Sequence, residues 1–262
     1  MRNDEVICAG IDAGSRAIKA LLFDGDRQTI VASGTMDQGI EQDTRAKTLF
    51  DRLLEQQDLP RGAVGKVVAT GYGRNRVTFA DTTITEITCH AYGVRHVAPD
   101  AKTIIEVGGQ DSKLIRLDPN GAVRDFAMND RCAAGTGRFL EVIAARLGVE
   151  LDALGALAAR SRHPASISST CVVFAETEIV GLLASGTPPD DIVAGVQLSI
   201  ARRVVGMVGR SADPPIVFTG GVAMVPGMVD ALEAALEQPV HVALNPQMTG
   251  ALGAAILASK LA

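Results

Sequence analysis

The N-terminal part of the chain alternates short apolar runs with glycine and charged residues. Asp24-Gly25 separates two of these runs, and Asp-Gly in that position is a strong hairpin signal. We therefore expect a glycine-interrupted set of strands over residues 5–34. Apolar spacing over 43–57 predicts a helix that ends before Leu59-Pro60, and KVVATG at 66–71 predicts another strand.

The same order of patterns starts again near Ala101. TIIEVGGQDSKLIRLD predicts a strand, a glycine turn and a second strand, and a PNG turn followed by AVRDFAMND predicts a third strand. Two segments align in this repeat, GIDAGSRAIKALLFD and EVGGQDSKLIRLD. The first has a lysine four residues after Ser15, and the second has one two residues after Asp111. A duplicated β-β-β-α architecture is the economical explanation, although two glycine-rich hairpins can also resemble each other by chance.

Helical spacing dominates the rest of the second half. The predicted elements are helices over 137–157, 174–184 and 190–209, a strand over 214–221, a helix over 222–236, a strand over 240–244 and a helix over 250–261. The last helix consists mainly of small residues, which suits close packing against a neighbour. We expect two domains, 1–98 and 99–247, with the C-terminal helix of 248–262 packing at or across the cleft of the first.

The composition is that of an ordinary globular protein. The chain has 262 residues, of which 47% are hydrophobic and 21% charged, so it can bury a substantial core. Its formal charge is -5 and it has no dense run of Lys or Arg, which argues against a nucleic-acid partner. No apolar run approaches the roughly 18 residues of a membrane span, and the first apolar stretch is too short for a secretory signal. We expect a cytoplasmic protein.

Four cysteines lie far apart: Cys8, Cys89, Cys132 and Cys171. They form no CxxC pair, and the chain shows no export signal, so disulfides are disfavoured. Cys8 and Cys89 lie in apolar segments and are interpreted as small buried packing residues.

Three glycine-rich turns follow apolar strands, at 10–15, 108–111 and 219–222. Glycine frees backbone N–H groups to bind anions and lets the chain approach a phosphate closely. Asp12 and Asp111 lie beside two of these turns and are candidates to hold magnesium through water. The spacing matches neither a Walker loop nor the GxGxxG of a dinucleotide fold, so another kind of phosphate site is implied.

A family resemblance rests on GIDAGSxxxK, VGGQD, NDRCAAGTGRFL, ISSTCVVFAE and FTGGVA, in this order. Further matching segments are ATGYGRN at 69–75, CHAYG at 89–93 and GALGAA at 250–255, so nearly the whole chain is covered. The sequence resembles the ATPase activators of 2-hydroxyacyl-CoA dehydratases, in a wider group with the ATPase subunits of ATP-dependent benzoyl-CoA reductases. The resemblance implies an α/β fold of the actin, sugar-kinase and heat-shock ATPase superfamily, in which two ribonuclease-H-like domains close around ATP.

The resemblance also implies nucleotide-binding residues. Ser15 and Lys19 match the first phosphate motif, Gly220 and Gly221 match the adenosine-side motif, and Gln247 matches a further contact. The second phosphate motif is matched by Gly108, Gly109, Gln110 and Asp111.

The catalytic candidates are the residues able to position water and metal, namely Asp12, Gln110 and Asp111. Arg16 and Ile18 depart from the family pattern, where small or polar residues are common. We expect the backbone of the turn to survive both changes.

In the family, cysteines that match Cys132 and Cys171 bind a four-iron, four-sulfur cluster, and each of two subunits gives both thiolates. Both cysteines precede predicted helices, and helix N-termini favour thiolate charge. Glu176 and Glu178, close after Cys171, are interpreted as acids that complement a helix dipole.

The expected protein is thus a dimeric iron–sulfur ATPase that uses ATP, Mg²⁺ and one 4Fe-4S cluster per dimer. Its implied partners are an identical or paralogous second subunit, a ferredoxin or flavodoxin donor, and an acyl-CoA dehydratase or reductase that receives the electron. Two other classes remain open: a small-molecule kinase of the same superfamily and a nucleotide-gated binding or assembly protein.

Overall fold

The structure is a computed structural model, and it describes residues 6–130, 133–168, 171–209 and 212–262. Its chain contacts divide it into two compact units. Unit 1 contains Met1–Pro99 together with Met248–Ala262, and unit 2 contains Asp100–Gln247.

Unit 1 is built on a five-stranded sheet in the order β3-β2-β1-β4-β5. The first three strands are antiparallel, and β4 and β5 join as parallel strands beside β1. The bounds in unit 1 are β1 Ile7–Ala13, β2 Ala17–Asp24, β3 Thr29–Asp37, α1 Gln42–Gln56, β4 Val64–Thr70, β5 Thr82–Thr83, α2 Glu86–Val97 and α8 Thr249–Ser259.

Both faces of this sheet are covered, as the alternation of side chains along its strands shows. Leu22 of β2 belongs to the apolar cluster that contains Phe50 of α1, whereas its neighbours Leu21 and Phe23 pack with Leu252 of α8. Successive side chains of a strand point to opposite faces, so the nearly continuous apolar runs of β1 and β2 follow from burial on both sides.

Glycines let α8 pack against its neighbours at backbone distance. A Cβ atom on Gly93 of α2 would lie 1.9 Å from the carbonyl oxygen of Thr249, and one on Gly253 of α8 would lie 1.7 Å from that of Cys89. A Cβ atom on Gly10 of β1 would lie 2.0 Å from the carbonyl oxygen of Ala251. Only glycine fits at these three positions, and the prediction of a closely packed small-residue helix is confirmed.

Unit 2 repeats the architecture. Its sheet has the order β10-β9-β6-β7-β8, which is the order of unit 1 read from the opposite edge. The bounds are β6 Thr103–Val107, β7 Ser112–Leu117, β8 Val123–Asn129, α3 Gly137–Leu147, α4 Leu154–Ala158, α5 Val172–Ala184, α6 Pro189–Val208, β9 Ile216–Thr219, α7 Met228–Leu236 and β10 Val240–Val242. The expected duplication of a ribonuclease-H-like α/β domain is confirmed.

The helical structure expected over 137–157 is confirmed as two helices: α3 ends at Gly148, which caps it in the left-handed region with φ 67°, and a separate short helix follows. Another predicted helix is wrong in its continuity. The helix expected over 222–236 is interrupted at Pro226-Gly227, so that a 3-10 turn precedes α7. No helix among the described residues is both long and apolar enough to cross a membrane.

Candidate functional site

The turn between β1 and β2 places a carboxylate beside a lysine. Asp12 and Lys19 are direct cross-strand partners, and the Lys19 Nζ lies 3.2 Å from the Asp12 Oδ2. The Asp12 side chain is 8% exposed and that of Lys19 is 18% exposed, so the pair is largely withdrawn from solvent. The hairpin register alone brings the two charges together, because residues opposite each other on antiparallel strands lie side by side.

Glycines surround the Asp12 carboxylate. A Cβ atom would lie 2.5 Å from Oδ1 if added to Gly71 and 3.7 Å from it if added to Gly14. A Cβ atom on Gly250, in the first turn of α8, would lie 3.1 Å from Oδ2. Gly71 also has φ 91°, a conformation that side chains with a Cβ rarely adopt. Three glycines therefore approach this carboxylate without a side chain of their own.

The same pair exists in unit 2, with Glu106 in the place of Asp12. Glu106 and Lys113 are cross-strand partners, and the Lys113 Nζ lies 2.8 Å from the Glu106 Oε2 and 2.7 Å from the Asp111 Oδ2. Sequence reasoning missed Glu106 because the glycine turn drew attention to Asp111. The shared seven-residue spacing of Asp12 to Lys19 and Glu106 to Lys113 is the signal that could have found it.

A second repeated feature is a Thr-Gly step at the end of the parallel strand. Thr70 pairs with Asp12, and Thr219 pairs with Glu106. The following glycine has a positive φ in both units, 91° in unit 1 and 89° at Gly220 in unit 2. Each unit thus has the same arrangement: an acid on the first strand, a lysine opposite it on the second strand, and a Thr-Gly step on the neighbouring parallel strand.

The adenosine-side candidates of unit 2 lie together. The Thr219 hydroxyl and the Gly220 N–H both donate to the carbonyl oxygen of Pro246, at 2.6 and 3.0 Å, which holds the segment of Gln247 against this turn. Among the described residues, apart from its chain neighbours, none has an atom within 4 Å of the position that a Cβ on Gly221 would take. The backbone here is open to a flat ligand.

The glycine turn at 108–111, the second phosphate candidate, is bonded directly to a helix. The N–H groups of Gly137 and Arg138, at the start of α3, donate to the carbonyl oxygens of Gly108 and Gly109, each at 2.9 Å. A Cβ atom on Gly137 would lie 3.2 Å from the Gly108 oxygen, so the contact is close. These are two of the N–H groups that a helix start leaves without an intrahelical partner.

Two other candidates of the glycine turns, Gln110 and Ser15, are at least partly exposed. Gln110 is exposed, and Ser15 is half-buried in the turn between β1 and β2. Arg16 is also exposed, while its carbonyl oxygen accepts a hydrogen bond from the Gln38 N–H at 3.2 Å. Ile18 is fully buried in the core of unit 1, which explains an apolar residue there.

Cys171 lies at the start of α5, as predicted, in the N-cap position with a half-buried side chain. Glu178, about two turns further along α5, accepts hydrogen bonds from the N–H and the hydroxyl of Ser168, at 2.9 and 2.8 Å. It thereby ties the segment before Cys171 to the helix, a role beyond that of a dipole-complementing acid. Glu176 forms an ion pair with Arg146 of α3.

Cys132 lies outside the described residues. The next described residue, Ala133, begins a short 3-10 turn that runs to Gly135 and leads into α3. The Thr136 hydroxyl donates to the Ala133 carbonyl oxygen at 2.7 Å, which fixes this approach to the helix.

The other two cysteines are core residues. Cys8 and Cys89 are fully buried in unit 1. Burial raises the pKa of the Cys8 thiol, and it raises that of Cys89 to about 12. Both thiols are therefore protonated at neutral pH and are poor metal ligands. In the part of the chain that the structure describes, no three His, Cys, Asp or Glu side chains gather into a metal site.

Comparisons with known proteins agree with this arrangement. Residues 9–258 match the model of the BadF/BadG/BcrA/BcrD ATPase family. The activator of lactoyl-CoA dehydratase from Anaerotignum propionicum is 45% identical over 254 residues, which cover 97% of each chain. A benzoyl-CoA reductase subunit from Thauera aromatica is 31% identical over 261 residues, 95% of this chain and 92% of that protein.

A solved structure is similar over almost the full length. It is the activator of the 2-hydroxyisocaproyl-CoA dehydratase from Clostridium difficile with bound ADPNP. The TM-score is 0.91 at 41% identity, and the match covers 98% of this chain and 95% of that one. The superfamily fold that the motifs imply is confirmed.

The buried lysine of unit 2 generates a stability prediction. Lys113→Met should lower the free energy of unfolding by about 3 kcal/mol, because it removes the cation bonded to the buried Glu106. Lys66→Met is the matched control: its partner Asp81 and Lys66 itself are both 41% exposed, and such pairs contribute about 1 kcal/mol or less. Urea unfolding of both variants measures the difference, and equal losses would contradict the assigned role of the Lys113 pair.

Proposed function

Because the chain belongs to the BadF/BadG/BcrA/BcrD ATPase family, we propose that it couples ATP hydrolysis to delivery of single low-potential electrons to a 2-hydroxyacyl-CoA dehydratase. A dehydratase is favoured over a benzoyl-CoA reductase as the partner because identity is 45% to the lactoyl-CoA dehydratase activator and 31% to the reductase protein. The acyl-CoA that the partner uses is not part of this proposal.

One observation carries the coupling. The glycine turn at 108–111, a candidate for phosphate binding, accepts two hydrogen bonds from the start of α3, the helix that follows the Cys132 segment. A shift of this turn on binding or hydrolysis of a nucleotide would break or move the bonds that cap α3. The turn is thus in a position to report nucleotide state to the thiolate-bearing segment.

The proposed roles at the nucleotide follow from charge and backbone geometry. Lys19 and Lys113 place cations beside the glycine turns, whose N–H groups bind phosphate oxygens. Asp12 and Glu106 orient metal-bound water, and Gln110 in its exposed turn positions the attacking water. Magnesium, when bound, neutralises phosphate charge during hydrolysis.

The environment of Asp12 fits such an ion. Its carboxylate is a hard oxygen ligand of the kind that Mg²⁺ prefers, and the glycines at 71 and 250 put no side chain of their own against it.

We assign the thiolates of Cys132 and Cys171 to a 4Fe-4S cluster shared by two subunits. Cys171 fits a ligand's role, since its thiol is free, half-buried and at a helix start, where negative charge is favoured. The cluster, when bound, supplies one-electron transfer. Two thiolates per chain require a second subunit, most simply another copy of this chain, and a ferredoxin or flavodoxin would provide the electrons.

A small-molecule kinase is the rival of a different class. It would use the same phosphate turns but would not need Cys132 or Cys171. Full-length similarity to activators of dehydratases favours the electron-transfer function over it.

The cysteine assignment predicts the iron content of variants. Wild-type protein purified without oxygen should contain roughly two iron atoms per chain, because one four-iron cluster is shared by two subunits. Cys132→Ala and Cys171→Ala should each reduce iron and acid-labile sulfide to near zero while leaving a folded chain. Cys8→Ala and Cys89→Ala are matched controls that should retain both, and full iron in either of the first two variants would refute the assignment.

The acid assignment predicts the rate of hydrolysis. Asp12→Asn and Glu106→Gln should each lower the ATPase turnover by at least about tenfold, since each removes a charge that orients metal-bound water. Iron content should not change. Asp26→Asn, in the exposed turn between β2 and β3, is the control. Steady-state phosphate release at matched iron content is the measurement, and near-normal turnover of both variants would rule out this site.

A further inference from the structure

A buried histidine joins two helices of unit 1 beside the Asp12 carboxylate. His90 of α2 and Thr249 of α8 are 6% and 1% exposed, and the His90 Nδ1 shares a hydrogen bond of 3.0 Å with the Thr249 Oγ1. This bond fixes the rotation of the imidazole ring. If the ring turned away, two buried polar groups would lose their hydrogen bond with no water to replace it, which costs free energy.

The ring also lies beside the Asp12 carboxylate. The Cε1 and Nε2 atoms of His90 each lie 3.3 Å from the point that a Cβ on Gly250 would occupy, and the Asp12 Oδ2 lies 3.1 Å from the same point. Imidazole and carboxylate therefore both border the position of a side chain that Gly250 does not have, and a Cβ there would touch both.

The same oxygen also meets Lys19. The Lys19 Nζ lies 3.2 Å from the Asp12 Oδ2. The carboxylate thus has a lysine of β2 and an imidazole of α2 among its neighbours. Its counterpart Glu106 is held differently, by Lys113 at 2.8 Å, and that lysine also binds Asp111.

We propose that His90, oriented by Thr249, is a positioning residue that fixes the Asp12 carboxylate for the magnesium–nucleotide complex. The inference rests on the proposed role of Asp12 at that site. His90 acts through Asp12 and does not touch the nucleotide. Outer partners that orient ligand carboxylates typically change metal affinity by about 10- to 100-fold when removed.

A packing role is the alternative, since α2 and α8 also meet at glycines. A residue that only packs would affect stability and nucleotide affinity without regard to metal. A positioning residue should instead affect the part of nucleotide affinity that depends on magnesium. The dissociation constant for ADP measured with EDTA, divided by that measured with Mg²⁺, gives the contribution of magnesium to affinity. This ratio distinguishes the positioning role from the packing role.

Isothermal titration calorimetry of the full chain, purified without oxygen, gives both constants. We expect His90→Gln and Thr249→Val each to reduce the ratio by about tenfold while leaving the EDTA value near that of wild type. Thr249→Ser keeps the hydroxyl and should restore the wild-type ratio. His96→Gln is the matched control, because His96 lies on the same helix but stacks edge-on against Phe23, with ring centroids 5.6 Å apart.

Asp12→Asn distinguishes failure of the inference from failure of the proposed site. If Asp12→Asn reduces the ratio and His90→Gln and Thr249→Val do not, the positioning role is overturned and the site stands. If Asp12→Asn leaves the ratio unchanged, both are overturned. Equal losses in EDTA and in Mg²⁺ for His90→Gln would show a packing role and overturn the inference.

Discussion

Two backbone hydrogen bonds between a glycine turn and a helix start hold the proposed coupling together. Gly137 and Arg138 have N–H groups that no intrahelical carbonyl can accept, and α3 has no side-chain cap. The carbonyl oxygens of Gly108 and Gly109 take that place. The turn that would bind phosphate and the helix after the Cys132 segment are therefore joined without an intervening side chain. The missing side chain of Gly137 eases this approach, because a Cβ there would lie 3.2 Å from the Gly108 oxygen.

Duplication followed by divergence explains the division of tasks. Each unit has the same strand order, an acid paired with a lysine seven residues later, and a Thr-Gly step with a positive φ. Unit 1 adds α8, whose Gly250 lies where His90 and Asp12 come close. Unit 2 instead adds the helices that begin near the two cysteines. In the proposed function, the hairpin of unit 1 would position the metal and that of unit 2 would couple the nucleotide to the redox centre.

Much of this fold could be predicted from the sequence, because its signals are local. Asp-Gly turns, apolar strands on both sides of glycine turns and the small-residue helix all depend on nearby residues. Glu106 was harder to find, because strand register places it against Lys113 together with Asp111 of the glycine turn, and only the repeated seven-residue spacing indicates it in the sequence. The helix predicted over 222–236 failed at Pro226-Gly227, where backbone preference outweighs apolar periodicity.

The central claim is that the change from bound ATP to bound ADP alters the proposed 4Fe-4S cluster through the turn at Gly108. An anaerobic redox titration followed by electron paramagnetic resonance, with ATP and Mg²⁺, with ADP and Mg²⁺, and without nucleotide, tests it most directly. The account predicts a different potential or spectrum with ATP than with ADP. It also predicts loss of that difference, with iron retained, in Gly137→Pro, which removes one linking N–H at a helix position that tolerates proline. Identical potentials and spectra in all wild-type states would contradict the coupling.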